Sequence, residues 1–197
     1  MKIVNLLISK SKGELLLETM NIAKMFQMQQ ILRDRIGYKE TDRFEKLILA
    51  LLVELGELAN EWRGFKFWSS NQKPRIKAVR VPSMLEEDKE YYNPMLEEFV
   101  DGLHFILEIG LEIGINDSQP KTLISFQNKA TSMDFSCIYY LVSQLDLTVL
   151  LVDKSNYHRL FNNYFHLGEK LGFSWKQIEQ AYMDKNAVNH QRQEQGY

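Results

Sequence analysis

The chain has 197 residues, enough to bury a core without disulfide or metal support. Hydrophobic residues make up 45% and charged residues 25%, with four prolines and ten glycines, which excludes wholesale disorder and collagen-like or loop-dominated folds. A net charge of −2 does not mark a general nucleic-acid binder, and the single cysteine, Cys137, cannot close an internal disulfide, so a cytoplasmic setting is expected.

The dominant period is helical. Segment 13–36 sets Leu16, Met20, Ile22 and Met25 roughly on one side, with Gln29 and Gln30 further along, and Gly37 as its stop. The N-terminal MKIVNLLISK has neither the long apolar stretch nor the cleavage site of a signal peptide, so none is expected. Segment 41–62 is the next predicted helix, with Thr41 or Asp42 as N-cap. Its run Leu47–Val53 is apolar on every side, which predicts the central, buried helix. That run is far shorter than the ~20 residues that cross a bilayer.

Residues 69–93 carry two prolines and mixed charge and read as a surface insertion, with a short hairpin at IKAVRV. Pro94 opens a helix over 94–114. A short helix is predicted near Leu123 to Lys129, a longer one from about Asp134 to Leu147, and another over 155–171 that stops at Gly172. Ser174 with Gln177 forms a capping-box pattern for a last helix running to about Gln193. No repeat and no Gly-rich phosphate loop occurs. The expected fold is all-α, five or six helices around a central one, in a single domain over 1–197.

The informative feature is acidic. Glu54, Glu57 and Glu61 return to one helix face, and Glu98 with Asp101 (or Glu97 with Asp101) forms a second pair among Phe99, Val100, Leu103, Phe105 and Ile106. An acidic stripe can simply face water or pair with Lys and Arg. Two carboxylates about 4 Å apart, however, repel by ~4 kcal/mol at an effective dielectric of about 20. Four of them facing each other across half-buried helices need protons or cations. Hard oxygen ligands without His or Cys select Mg²⁺ or Mn²⁺, so Glu54, Glu57, Glu98 and Asp101 are the candidate ligands.

Lys185, Asn189 and Arg192 share one face of the last helix. Such a set can simply face water; beside a divalent cation it would hold phosphate oxygens. Metal and phosphate clamp together point to phosphoryl-transfer chemistry with water as nucleophile. Trp62, Phe65, Phe67 and Trp68 are aromatic enough to stack on a base, although ordinary packing serves each of them as well.

These residues resemble a known family. E-L-G-E (Glu54, Glu57), F-K-F-W (Phe65 to Trp68), E-F-V-D-G-L-H-F (Glu98 to Phe105), the C-terminal K-N-x-x-N-x-x-R-Q-x-x-G-Y and the N-terminal M-Q-Q-I-L-R-D (Met28 to Asp34) resemble the dimeric all-α dUTPases, part of the MazG-like nucleoside triphosphate pyrophosphatases. The resemblance spans about residues 15 to 197. It implies hydrolysis of dUTP, with dUDP also a substrate, to dUMP, by water attack on the β-phosphorus. It implies that Glu54, Glu57, Glu98 and Asp101 hold Mg²⁺, with Glu54 and Glu57 as the catalytic pair and Glu54 preferred over Glu57 as the base, and that Lys185, Asn189 and Arg192 hold phosphates. Gln30 would read the uracil edge, and Trp68, His104 and Phe105 would line the base and sugar pocket. A homodimer is implied, with sites near its interface. The many aromatic residues of the later helices, Tyr139, Tyr140, Tyr157, Phe161, Tyr164 and Phe165, independently suggest an apolar face for a second copy.

One position departs from the pattern. Arg33 stands three residues after Gln30, where the family commonly has Asn, which opens dCTP or both pyrimidines as alternative substrates. A guanidinium only donates, so the acceptor for uracil N3–H would fall to Gln30. The insertion at 69–93 also offers a surface for a regulatory protein partner. An alternative of another class is a non-catalytic helical binding protein on the same scaffold, against which the intact carboxylate set argues.

Overall fold

A computed structural model describes residues 21–117, 130–145 and 154–196. Six α-helices lie among them: α1 (Ile22–Ile36), α2 (Arg43–Trp62), α3 (Pro94–Glu112), α4 (Thr131–Ser143), α5 (Lys154–Lys170) and α6 (Trp175–Glu194). Strands β1 (Ala78–Val81) and β2 (Glu90–Tyr92) form a small antiparallel pair. The architecture is all-α, as expected. The part of the predicted first helix before Asn21, the predicted helix at Leu123 to Lys129, and the end of the predicted 134–147 helix beyond Leu145 lie outside the described residues.

Local signals set most helix ends. Asn21 caps α1 by accepting from Lys24 N at 3.0 Å, and Gly37 closes it in the left-handed conformation at φ 64°. Asn93 caps α3 with Pro94 in its first turn. Ser174 and Gln177 form the full reciprocal capping box of α6. Asp134 does not start α4. The helix begins at Thr131, and the Asp134 carboxylate is instead buried against Lys170 of α5, at 2.5 Å.

The central helix is α3, not the 41–62 segment. Twelve of the 19 residues of α3 are buried, against four of the 20 in α2. α3 packs on α1, α2, α5 and α6. The apolar run in α2 splits by face: Leu51, Leu55 and Leu58 enter the core, while Leu49 is 63% and Val53 50% exposed. An all-apolar run does not say which side is covered; the neighbours decide that.

Two glycines let α5 sit against α3. A Cβ on Gly102 would lie 2.3 Å from the Tyr164 hydroxyl, and one on Gly110 would lie 2.4 Å from that of Tyr157. The space is used by hydrogen bonds: Tyr164 donates to the Phe99 carbonyl at 2.6 Å and Tyr157 to the Ile106 carbonyl at 3.0 Å. Each buried hydroxyl thus has an acceptor on the helix it packs against.

The 69–93 segment is pinned at its base. Arg75 N donates to the Glu61 carbonyl at 2.9 Å, its guanidinium bonds the Glu61 carboxylate at 2.9 Å, and its own carbonyl accepts from Met95 N at 3.2 Å. The hairpin expected at IKAVRV is not contained there: that stretch supplies only the strand Ala78–Val81, and its partner is Glu90–Tyr92, beyond the 82–89 connection. Among the described residues no helix is long and apolar enough to cross a membrane.

Candidate active site

A cavity of about 490 Å³ opens between α1, α2, α3 and α6. One wall is a single face of α3, where Asp101, His104, Phe105 and Glu108 follow one another at helical spacing. From Asp101 to Glu108 is seven residues, two turns, or about 10 Å along the axis.

The acidic end is built by α2 and α3. Glu54, Glu98 and Asp101 each bring a carboxylate oxygen to within 4.8 Å of the others. Glu57 is exposed at the edge of this trio, close enough that its charge acts on Glu54 and Glu98. Burial, then the charges of Asp101 and Glu57, push the Glu54 carboxyl up to about 7. Burial, followed by Asp101, Glu57 and Glu54, pushes Glu98 up to about 8. Asp101 is raised too, chiefly by burial, against the lowering effect of Lys185. Glu61, the third member of the α2 stripe, is elsewhere, bound to Arg75.

Lys185, Asn189 and Arg192 of α6 all line the cavity, as their spacing suggested. Lys185 does not reach into open space. Its ammonium bonds Asp101 at 2.5 Å and lies 3.8 Å from Glu97. The Arg192 charge also favours the ionised form of Asp101.

At the other end the polar groups pair among themselves. Gln29 is buried, donates to Glu108 at 2.9 Å, and its oxygen sits 2.8 Å from His104 Nδ1 and 3.1 Å from the Tyr182 hydroxyl. The His104 ring stacks on Tyr182 with centroids 4.2 Å apart. Burial pushes the His104 imidazole down to about 3, so it is neutral. Arg33 bonds Glu112 and lies 3.3 Å from Glu108, and Arg43 approaches Glu112 at 3.7 Å.

Two predicted pocket residues are placed differently. Gln30 is not in the cavity wall; its amide donates to Asp34 at 2.7 Å, one turn along α1. Gln29 takes the inward position, because it shares the face of Met25 and Leu32, both buried. Trp68 is 66% exposed and packs edge-on against Phe67, outside the cavity. Helix α2 ends at Trp62 with Arg63 in the left-handed conformation (φ 63°), beyond which the FKFW segment follows; Trp62 itself packs on Phe135 at 5.3 Å. His104 and Phe105 do line the cavity. Sequence reasoning missed Gln29, Glu108 and Arg43. Glu108 was detectable, being the next acidic residue on the Asp101 face.

The cavity thus sets three carboxylates at one end, with cationic side chains from a third helix beside them. Among family models, the family described as dUTPase matches residues 21–82 and 85–197. The chain belongs to the dimeric all-α dUTPase family, which makes it a dUTP diphosphatase. A comparison with curated proteins gave no match.

Proposed function

We propose that this cavity hydrolyses dUTP, and dUDP as a second substrate, with a divalent cation, Mg²⁺ or Mn²⁺, held by Glu54, Glu98 and Asp101 and with Glu57 at its edge. One observation supports this most. Three carboxylates from two helices lie within 4.8 Å of one another, and burial with mutual repulsion raises Glu54 to about 7 and Glu98 to about 8. Hard, closely set oxygen donors of this kind fit Mg²⁺ or Mn²⁺. The cation, when bound, offsets phosphate charge and activates water.

The chain's own residues supply the rest. Glu54 takes the proton of the attacking water; its raised pKa suits a base working near pH 7. The water oxygen bonds to the β-phosphorus, the bond from that phosphorus to the oxygen bridging it to the α-phosphorus breaks, and dUMP leaves with that oxygen. Lys185, Asn189 and Arg192 hold phosphate oxygens, which requires Lys185 to loosen its bond to Asp101. The base lies about one turn along α3 from Asp101, against Phe105, His104 and Gln29. Tyr157, Phe161, Tyr164 and Phe165 are buried in the subunit's own core and so leave no aromatic face for a second copy; the exposed Leu49 and Val53 on α2 give an apolar strip instead, and we infer a homodimer of single-domain subunits.

Pyrophosphate release from a panel of dNTPs, with and without Mg²⁺, tests the reading. Turnover of dUTP only with added cation is expected. A chain that binds dUTP in the presence of Mg²⁺ without releasing pyrophosphate would favour the non-catalytic alternative.

A further inference from the structure

The 69–93 segment reaches the acidic end through Arg80, and its backbone is irregular at that residue. The two strands pair Ala78 with Tyr92 and Val79 with Tyr91, but then Val81 with Glu90. Arg80 is the extra residue, a bulge in the ladder. A bulge turns a side chain out of the alternation of its strand, and bulges gather beside active sites for that reason. Here the Arg80 guanidinium lies 4.3 Å from the centre of the Tyr92 ring and donates to one oxygen of Glu97 at 2.9 Å. The segment is fixed to the same helix by Met95 N, which donates to the Arg75 carbonyl at 3.2 Å.

Glu97 stands in the first turn of α3, next to Glu98 and one turn before Asp101. It is not one of the three clustered carboxylates, yet its charge acts on both Glu98 and Asp101. Its second oxygen lies 3.8 Å from the Lys185 ammonium, which bonds Asp101 at 2.5 Å. Two carboxylates one turn apart therefore compete for one ammonium. At 3.8 Å Glu97 is outside hydrogen-bond range and Asp101 holds the bond. Arg80 explains the outcome, because it already engages Glu97 with a charge-assisted hydrogen bond, from a guanidinium steadied by the Tyr92 ring.

We propose that Arg80 is a positioning residue for the phosphate end of the site: the bulged strand carries it to Glu97, and with Glu97 engaged Lys185 stays available to Asp101 and to the polyphosphate. The 69–93 segment thereby takes part in substrate binding without touching the substrate. This rests on the reading of Lys185 as a phosphate ligand. Without Arg80, an unopposed Glu97 carboxylate draws the ammonium away from the phosphate oxygens. Partly exposed ion pairs shift such an equilibrium by up to about five-fold, which sets the size of the effect.

Steady-state kinetics on dUTP and calorimetric binding of pyrophosphate, both at saturating Mg²⁺, test this. The variants are Arg80→Gln, Arg80→Lys, Glu97→Gln and the double variant Arg80→Gln/Glu97→Gln, with Lys185→Met as reference. Arg80→Gln should raise KM and the pyrophosphate Kd by the same factor, about three- to five-fold, and leave kcat within about two-fold. Arg80→Lys keeps the charge and should lie between Arg80→Gln and wild type. Glu97→Gln removes the competitor, so the double variant should bind as tightly as Glu97→Gln alone. A residue that merely braced the hairpin would behave otherwise: both single variants would weaken binding alike, and the double variant would be no better. That pattern, or Arg80→Gln with wild-type KM and Kd, overturns the assignment. Lys185→Met with normal pyrophosphate binding overturns the phosphate role of Lys185 and this inference together. Weakened binding in Lys185→Met beside an unaffected Arg80→Gln overturns this inference alone.

Discussion

Both ends of the cavity take carboxylates from α3, two turns apart, and treat them in opposite ways. At the far end Glu108 and Glu112 face Arg33 and Arg43, and Gln29 ties Glu108 to His104. At the near end Glu54, Glu98 and Asp101 crowd together, with Glu57 and Glu97 beside them and Lys185 bonded to Asp101, and their carboxyl groups stay hard to ionise. A region that neutralises itself contributes to the fold. A region that does not is held together by the rest of the fold and is completed by a ligand. Substitutions at the two ends should therefore divide into those that lower activity and those that lower stability.

The largest effect is expected at the acidic end. Glu54→Gln keeps the shape but removes the base, and kcat should fall about 10²- to 10⁴-fold. Metal-free stability should hold or rise, because one member of a repelling set is gone. Glu57→Gln, at the exposed edge, should lose less. Steady-state kinetics with a parallel melting curve checks both. If Glu54→Gln unfolded the protein with activity per folded molecule intact, the acidic end would be structural after all.

At the balanced end the sign reverses. Glu108→Ala leaves the mostly buried Arg33 and Gln29 without their shared partner. Breaking such a pair from one side costs about 3 kcal/mol. For a chain of this size that is roughly 6–12 °C in Tm. Denaturant melts should show it in the absence of any nucleotide or metal.

The third contrast is in pH. Glu54 and Glu98 have folded-state pKa values raised from 4.5 to about 7 and about 8. Between the ordinary carboxylate value and those values the folded state binds more protons than the unfolded chain. Metal-free stability should then fall as pH rises from about 5 through 8. A divalent cation replaces those protons, so its stabilising effect should grow over the same window. Melting curves at pH 5.5, 7 and 8.5, with and without Mg²⁺, check this; metal-free stability that rose with pH there would contradict it.

How much of this was legible in the chain follows the same division. The acidic end could be read because charge at helical spacing within apolar sequence is a strong local signal: Glu54 with Glu57, Glu98 with Asp101. The capping box at Ser174 and the stop at Gly37 were local as well. The balanced end was not legible, because its residues gain meaning only from partners on other helices. Gln29 and Gln30 are neighbours in sequence, and only the buried Met25 and Leu32 on the same face decide which one turns inward. The sequence puts the start of its helix at about Asp134, three residues late, because it does not show that this carboxylate is buried against Lys170 across the interface. The apolar run Leu47–Val53 suggested a central helix, but centrality is a property of neighbours, and α3 has more of them.

The smallest expected effect probes what lies against the acidic end. Tyr164 is fully buried on α5, its hydroxyl bonded to the Phe99 carbonyl between Glu98 and Asp101, in the space left by Gly102. Burial, and then the charges of Glu54, Asp101 and Glu98, hold its phenol well above the ordinary tyrosine value, so it remains a neutral donor. Tyr164→Phe removes the hydroxyl while keeping the ring that stacks on Phe99 at 4.6 Å. The Phe99 carbonyl still accepts within helix α3, so the loss should be about 1 kcal/mol. Activity should change little, because the carboxylates are carried by α2 and α3, not by α5. A Tyr164→Phe variant with near-normal stability but a large rise in the Mg²⁺ concentration needed for half-maximal turnover would show that α5 sets the spacing of the acids. The acidic end would then depend on a third helix, and the division between the two ends would be less clean than the charge pattern suggests.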